Sequence, residues 1–94
     1  MDNPRYPKLW DTENNILVRI FTFSNFSEAI RFVNAVADLA EQMNHHPDIE
    51  IFSYKNVKVK LTTHSAKNTI TEKDISMAKE IDKQYVSSKQ PKGL

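Results

Sequence analysis

The sequence predicts a single α+β domain: a four-stranded antiparallel sheet with two helices packed on one face, in the order β-β-α-β-β-α. Three observations carry this. Residues 16–23 are dense in β-branched and aromatic side chains, as a strand requires. Residues 49–54 and 57–63 are two more strand-like runs, joined at Lys55-Asn56 as a hairpin. Apolar residues recur at helical spacing after Ser24 and again after Thr71. A chain of 94 residues is the size of one domain.

Taken in order, residues 1–7 read as a flexible arm broken by Pro4 and Pro7. Leu9 and Trp10 are expected to begin a short strand, and residues 11–15 form a turn cluster in which Asn14 and Asn15 tolerate left-handed backbone. The next strand is apolar on both faces, with Ile16, Val18 and Ile20 on one and Leu17, Phe21 and Phe23 on the other. Such a strand is covered on both sides, by helices or by another subunit. Residues 24–27 offer N-caps, Glu28 suits a first turn, and a helix is expected to about Asn44. That helix has two apolar stripes. Phe26, Ala29, Ile30, Val33, Ala37 and Ala40 form one; Phe32, Val36, Leu39 and Met43 form the other. So wide a face fits a helix laid deep on a sheet, or one that also meets a second subunit.

Pro47 ends that segment. In the last strand Val57, Val59 and Leu61 alternate with Lys58, Lys60 and Thr62, the pattern of a half-buried strand. Thr71-Glu72-Lys73-Asp74 resembles a capping box with aspartate in the usual glutamate position. The helix after it has Ile75, Ala78, Ile81 or Asp82, and Tyr85 as its face, and residues 86–94 read as a flexible polar tail.

Composition removes several function classes. Thirteen basic residues are balanced by 12 acidic ones, for a net charge of +1, without the basic excess of a nucleic-acid-binding domain. Cysteine is absent, so disulfides, thiol catalysis and cysteine–zinc sites are excluded, and a reducing, cytoplasmic setting fits. No apolar run approaches the ~20 residues of a membrane span, and the polar start does not read as a signal peptide. The one glycine is Gly93, which excludes a glycine-rich nucleotide loop. A chain this short buries only roughly 60–65% of its unfolded surface, and self-association would enlarge its core.

The chemistry-bearing residues are His45, His46 and His64. With Lys55-Asn56 as a two-residue turn, Tyr54 faces Val57, Phe52 faces Val59, Glu50 faces Leu61 and Pro47 faces His64. The hairpin therefore brings His64 beside the segment that holds His45 and His46. Imidazole both donates and accepts protons near neutrality, so the trio suggests acid–base work. Three histidines also suit zinc, although adjacent ones rarely aim at one ion. Glu41 and Asp74 are candidate carboxylates to orient the rings; as a bland alternative they are a solvated helix charge and a helix-start charge.

The stretch Glu41-Gln42-Met43-Asn44-His45-His46-Pro47, then Tyr54, then Thr62-Thr63-His64, then Asp74, resembles the signature of the pterin-4a-carbinolamine dehydratase family. The pattern of residues 57–64, the helix segment 78–82 and Trp10 resemble the family as well, so the likeness spans about residues 8–85. Three departures stand out: Asn44 where aspartate is common, Thr69-Ile70 where Gly-Leu is usual, and a loop one residue longer before the last helix.

The resemblance implies dehydration of 4a-hydroxytetrahydrobiopterin to quinonoid dihydropterin and water, by a hydro-lyase of tetrahydrobiopterin recycling. It implies His45, His46 and His64 as the active-site histidines, with no metal and no cofactor. Asn44, Pro47, Thr62 and Thr63 are then expected at the substrate, with Glu41 and Asp74 as orienting carboxylates. Neighbours in an extended segment point opposite ways, so His45 and His46 are not expected to do the same job; the resemblance favours His45 and His64 as the proton-transfer pair and His46 for substrate binding. The partners implied are the pterin and further copies of the chain, as a homodimer or homotetramer. Some family members also act as dimerisation cofactors for a transcription factor, which is the alternative function for this chain.

Overall fold

The computed structural model describes residues 5–89, and its elements follow from local chemistry. Asp11–Glu13 (β1) and Ile16–Thr22 (β2) form a hairpin across Asn14-Asn15. Both asparagines have positive φ, 50° and 63°, the geometry of the two-residue turns whose twist matches a hairpin. The first strand is thus Asp11–Glu13, and Leu9 and Trp10, expected to begin it, lie just before it. Trp10 is instead buried in the core, where its ring meets Phe21 edge-on at 5.9 Å.

Phe26–Met43 (α1) starts at a reciprocal cap. The Asn25 side chain accepts the Glu28 N–H at 2.9 Å, and the Glu28 carboxylate accepts the Ser24 N–H at 3.0 Å. The helix stops because Asn44 turns left-handed, φ 52°, and its N–H and that of His45 both close on the Ala40 carbonyl. Asp48–Phe52 (β3) and Asn56–Leu61 (β4) form the second hairpin, and Glu72–Lys89 (α2) closes the chain. The helix thus continues well past Tyr85 into the segment expected to be a tail. Residues 1–4 and 90–94, from the expected arm and tail, lie outside the described residues. Tyr6, also assigned to the arm, packs against the core.

The sheet is antiparallel throughout, in the order β1-β2-β4-β3. The register of the second hairpin differs from expectation by three residues. Phe52 faces Asn56, Ile51 faces Val57, Ile49 faces Val59 and Asp48 faces Lys60. The physical reason is that the loop is longer: Ser53 and Tyr54 are both left-handed, φ 49° and 55°, and Lys55 N–H bonds back to the Ser53 carbonyl. Apolar pairing decides the outcome, because this register alone sets Ile49 and Ile51 beside Val59 and Val57 on the buried face.

Both helices cover that one face. Leu17, Phe21 and Phe23 of the β2 segment, Val57, Val59 and Leu61 of β4, Ala29, Phe32, Val36, Leu39 and Ala40 of α1, and Met77, Ala78 and Ile81 of α2 form the core. The α1 face toward the sheet therefore draws on both stripes, while Phe26 stays exposed. On the opposite sheet face Val18 is buried but Ile20 is 50% exposed. There Lys58 lies between Ile20 and Glu50, and Lys60 between Val18 and Asp48, opposite-charge neighbours that favour this register. No helix among the described residues is long and apolar enough to cross a membrane.

One polar clamp ties the sheet to α2. Asp82 accepts the Trp10 indole N–H at 2.9 Å and pairs with Arg19 at 2.6 Å. The Arg19 guanidinium lies 4.4 Å from the Phe21 ring centre, and the Tyr85 hydroxyl donates to the Thr22 carbonyl at 3.0 Å. Asp82→Ala strands a mostly buried guanidinium and an indole N–H, so a loss of about 2 kcal/mol is expected. Urea unfolding checks it; an unchanged midpoint would mean the clamp contributes nothing.

Candidate active site

The site lies where α1 runs into β3 and where β4 runs into α2. Its centre is Asp74, a carboxylate with 0% exposure at the first turn of α2. Burying a carboxylate is costly unless it is hydrogen-bonded, and three groups meet it here. Oδ2 accepts the Thr71 N–H at 2.9 Å and the Thr63 hydroxyl at 2.7 Å. Oδ1 lies 2.6 Å from His45 Nε2. The Thr71 hydroxyl takes the Lys73 N–H at 3.3 Å and lies 2.6 Å from that of Thr63. Asp74 therefore closes the capping box at the start of α2 through one oxygen and meets the His45 ring through the other.

This network sets the His45 tautomer. Because the carboxylate can only accept, Nε2 carries the hydrogen, and Nδ1 is the nitrogen left for other chemistry. The ring is held against the fold, its side chain 11% exposed. His46 also meets a carboxylate through Nε2, 2.7 Å from Glu41, but its side chain is 60% exposed and the Glu41 carboxylate is more open still. By spacing Glu41 lies one helical turn before His45 and could share its face. The left-handed Asn44 ends the helix first, so the chain turns and Glu41 meets His46.

His64 opens a single 3-10 turn, His64–Ala66, after β4 and the two threonines that follow it. The loop is pinned at its neck, where Thr63 N–H bonds to the Thr69 carbonyl at 2.9 Å and Asn68 N–H returns to the Thr63 carbonyl at 3.1 Å. Lys67 and Asn68 both have left-handed backbone, φ 58° and 57°. This is how the longer loop is accommodated: the extra chain folds back on itself between Thr63 and Thr69. His64 is exposed, and its Nδ1 lies 2.5 Å from the Asn68 side-chain oxygen.

The four residues expected at the substrate lie in different surroundings. Asn44 is exposed and Pro47 half-buried. The Thr62 hydroxyl donates to the Asn15 carbonyl at 3.1 Å, tying β4 to the first hairpin turn. Thr63 is 5% exposed and its hydroxyl is spent on Asp74 and Thr71. Among the described residues, no three His, Asp or Glu side chains are grouped closely enough to hold a metal ion. Sequence reasoning missed Thr71 and Asn68 as parts of the site. Thr71 had a signal, since a capping box places its first and fourth residues in contact; Asn68 had none beyond the asparagine preference for left-handed backbone.

Comparison with known proteins gives one consistent result. Residues 3–84 match the family model described as pterin 4 alpha carbinolamine dehydratase. A protein of Thermomicrobium roseum assigned as a pterin-4-alpha-carbinolamine dehydratase is 50% identical over 72 residues, covering 77% of this chain and 75% of that one. A protein of Chloroflexus aurantiacus with the same assignment is 52% identical over 73 residues, 78% of this chain and 76% of the other. A crystal structure from Brucella melitensis, described as a transcriptional coactivator/pterin dehydratase, superimposes with a TM-score of 0.75 at 35% identity and covers 82% of each chain. With a family model spanning most of the chain and relatives at half identity over three quarters of their length, this protein belongs to the pterin-4α-carbinolamine dehydratase family of hydro-lyases.

Proposed function

We propose that this protein dehydrates 4a-hydroxytetrahydrobiopterin to quinonoid dihydropterin, with His45 and His64 as the proton-transfer pair and His46 as a substrate-binding residue. In the reaction the C4a–O bond breaks, the hydroxyl leaves as water, and a ring nitrogen gives up its proton. Hydroxide is a poor leaving group unless protonated, so a general acid is needed at the oxygen, and a base assists at the nitrogen. Family membership supplies the reaction. The observation that carries the mechanism is the fully buried Asp74 bonded to His45 at 2.6 Å, a carboxylate–imidazole pair of the kind that fixes a catalytic ring in one tautomer. The open side chain of His46, against the 11% exposed ring of the neighbouring His45, supports a separate, binding role for it. A place in recycling the pterin after a hydroxylation reaction follows from the nature of the substrate.

Stopped-flow dehydration of freshly prepared 4a-hydroxytetrahydropterin, corrected for the spontaneous reaction, tests the proposal. The wild type is expected to accelerate it, and His46→Ala to raise KM with kcat largely kept, the mark of lost uniform binding. A wild type that gives no acceleration sinks the enzyme reading. The alternative is then a protein-binding role, favoured by the description of the Brucella protein as a coactivator.

A further inference from the structure

The three imidazoles are bonded through different atoms. His45 and His46 each meet a carboxylate through Nε2, whereas His64 is bonded through Nδ1, to a side-chain amide. The Asn68 oxygen is an acceptor, so the hydrogen it receives sits on Nδ1 and the neutral His64 ring is left with an unprotonated Nε2. The backbone keeps Asn68 in place for this. It follows another left-handed residue, and its N–H is tied to the Thr63 carbonyl one residue before His64. Ring and amide thus hang from the same short, closed loop. His64 is exposed, and among the described residues its ring is hydrogen-bonded to the Asn68 amide.

We propose that Asn68 is a positioning residue that holds His64 in the Nδ1–H tautomer, making Nε2 the proton-accepting atom of that ring. The inference rests on the reading of His64 as an acid–base group, but its first test does not. Asn68→Gly removes the amide while keeping a residue at ease with positive φ, so the loop is retained; Asn68→Asp keeps an acceptor oxygen in the same place. Long-range ¹H–¹⁵N spectra of histidine-labelled protein at about pH 8.5, some two units above an ordinary imidazole, read the tautomer directly. Wild type and Asn68→Asp are expected to show His64 protonated at Nδ1, and Asn68→Gly a mixture. In the dehydration assay Asn68→Gly should lower kcat about 3- to 10-fold, the worth of one exposed hydrogen bond, at unchanged KM, with Asn68→Asp restoring it. A wild-type ring protonated at Nε2, or one tautomer balance in wild type and Asn68→Gly alike, overturns the proposal even if kcat falls. If the wild type shows no dehydration at all, the functional reading fails, and the spectra still decide whether Asn68 holds the ring.

Discussion

His45→Ala and His64→Ala should each lower kcat for dehydration by at least about 10²-fold, the usual contribution of one general acid or base. The two substitutions should differ in their effect on stability. His64 is exposed and its ring is bonded to a neighbouring loop residue, so its loss should change stability by less than about 0.5 kcal/mol. Removing His45 leaves one oxygen of a fully buried carboxylate without its donor, which should cost about 1–3 kcal/mol. Paired stopped-flow and urea measurements separate these effects. Full kcat in both variants would leave the family assignment standing and remove the proposed proton-transfer pair.

Replacement of Asp74 should have the largest combined effect. Asp74→Ala strands the Thr71 N–H, the Thr63 hydroxyl and the His45 ring N–H inside the fold, and a loss of about 3 kcal/mol or more is expected. Asp74→Asn is the more informative change. The Thr71 N–H can only donate, so the asparagine must turn its oxygen toward the cap and its NH₂ toward His45. That reverses the His45 tautomer with little change in shape. A fall in kcat of about 10²-fold or more is expected, with His45 now protonated at Nδ1 in its ¹⁵N spectrum. Wild-type kcat in Asp74→Asn would mean that the tautomer of His45 is irrelevant to the reaction.

Much of this fold was legible because its signals are local. The Asn14-Asn15 turn, the cap at the start of α1, the alternation of β4 and the Thr71–Asp74 box each depend on residues a few positions apart, and each appears in the structure near its expected place. In the second hairpin the hydrophobic pattern overrides the two-residue turn that Lys55-Asn56 suggests. Ile49 and Ile51 already alternated with Asp48 and Glu50, and matching them to Val57 and Val59 would have required the longer loop. Met77 belongs to the buried α2 face as well, and its spacing of four residues from Ile81 and eight from Tyr85 already placed it there.

The sequence by itself determined the fold class, the element order, the family likeness and the three histidines with their two candidate carboxylates, because composition and short-range periodicity are properties of the chain. Which carboxylate serves which ring was decided by the tertiary structure alone. Glu41 was one helical turn from His45 by spacing, yet Asn44 ends the helix and hands Glu41 to His46. Asp74 is 29 residues from His45 and reaches it because the β4–α2 connection brings the start of α2 to the end of α1. Burial completes the difference: a carboxylate withdrawn from water must be hydrogen-bonded, and that condition joins Thr63 and His45, which no local pattern connects, to the Thr71 cap around one buried side chain.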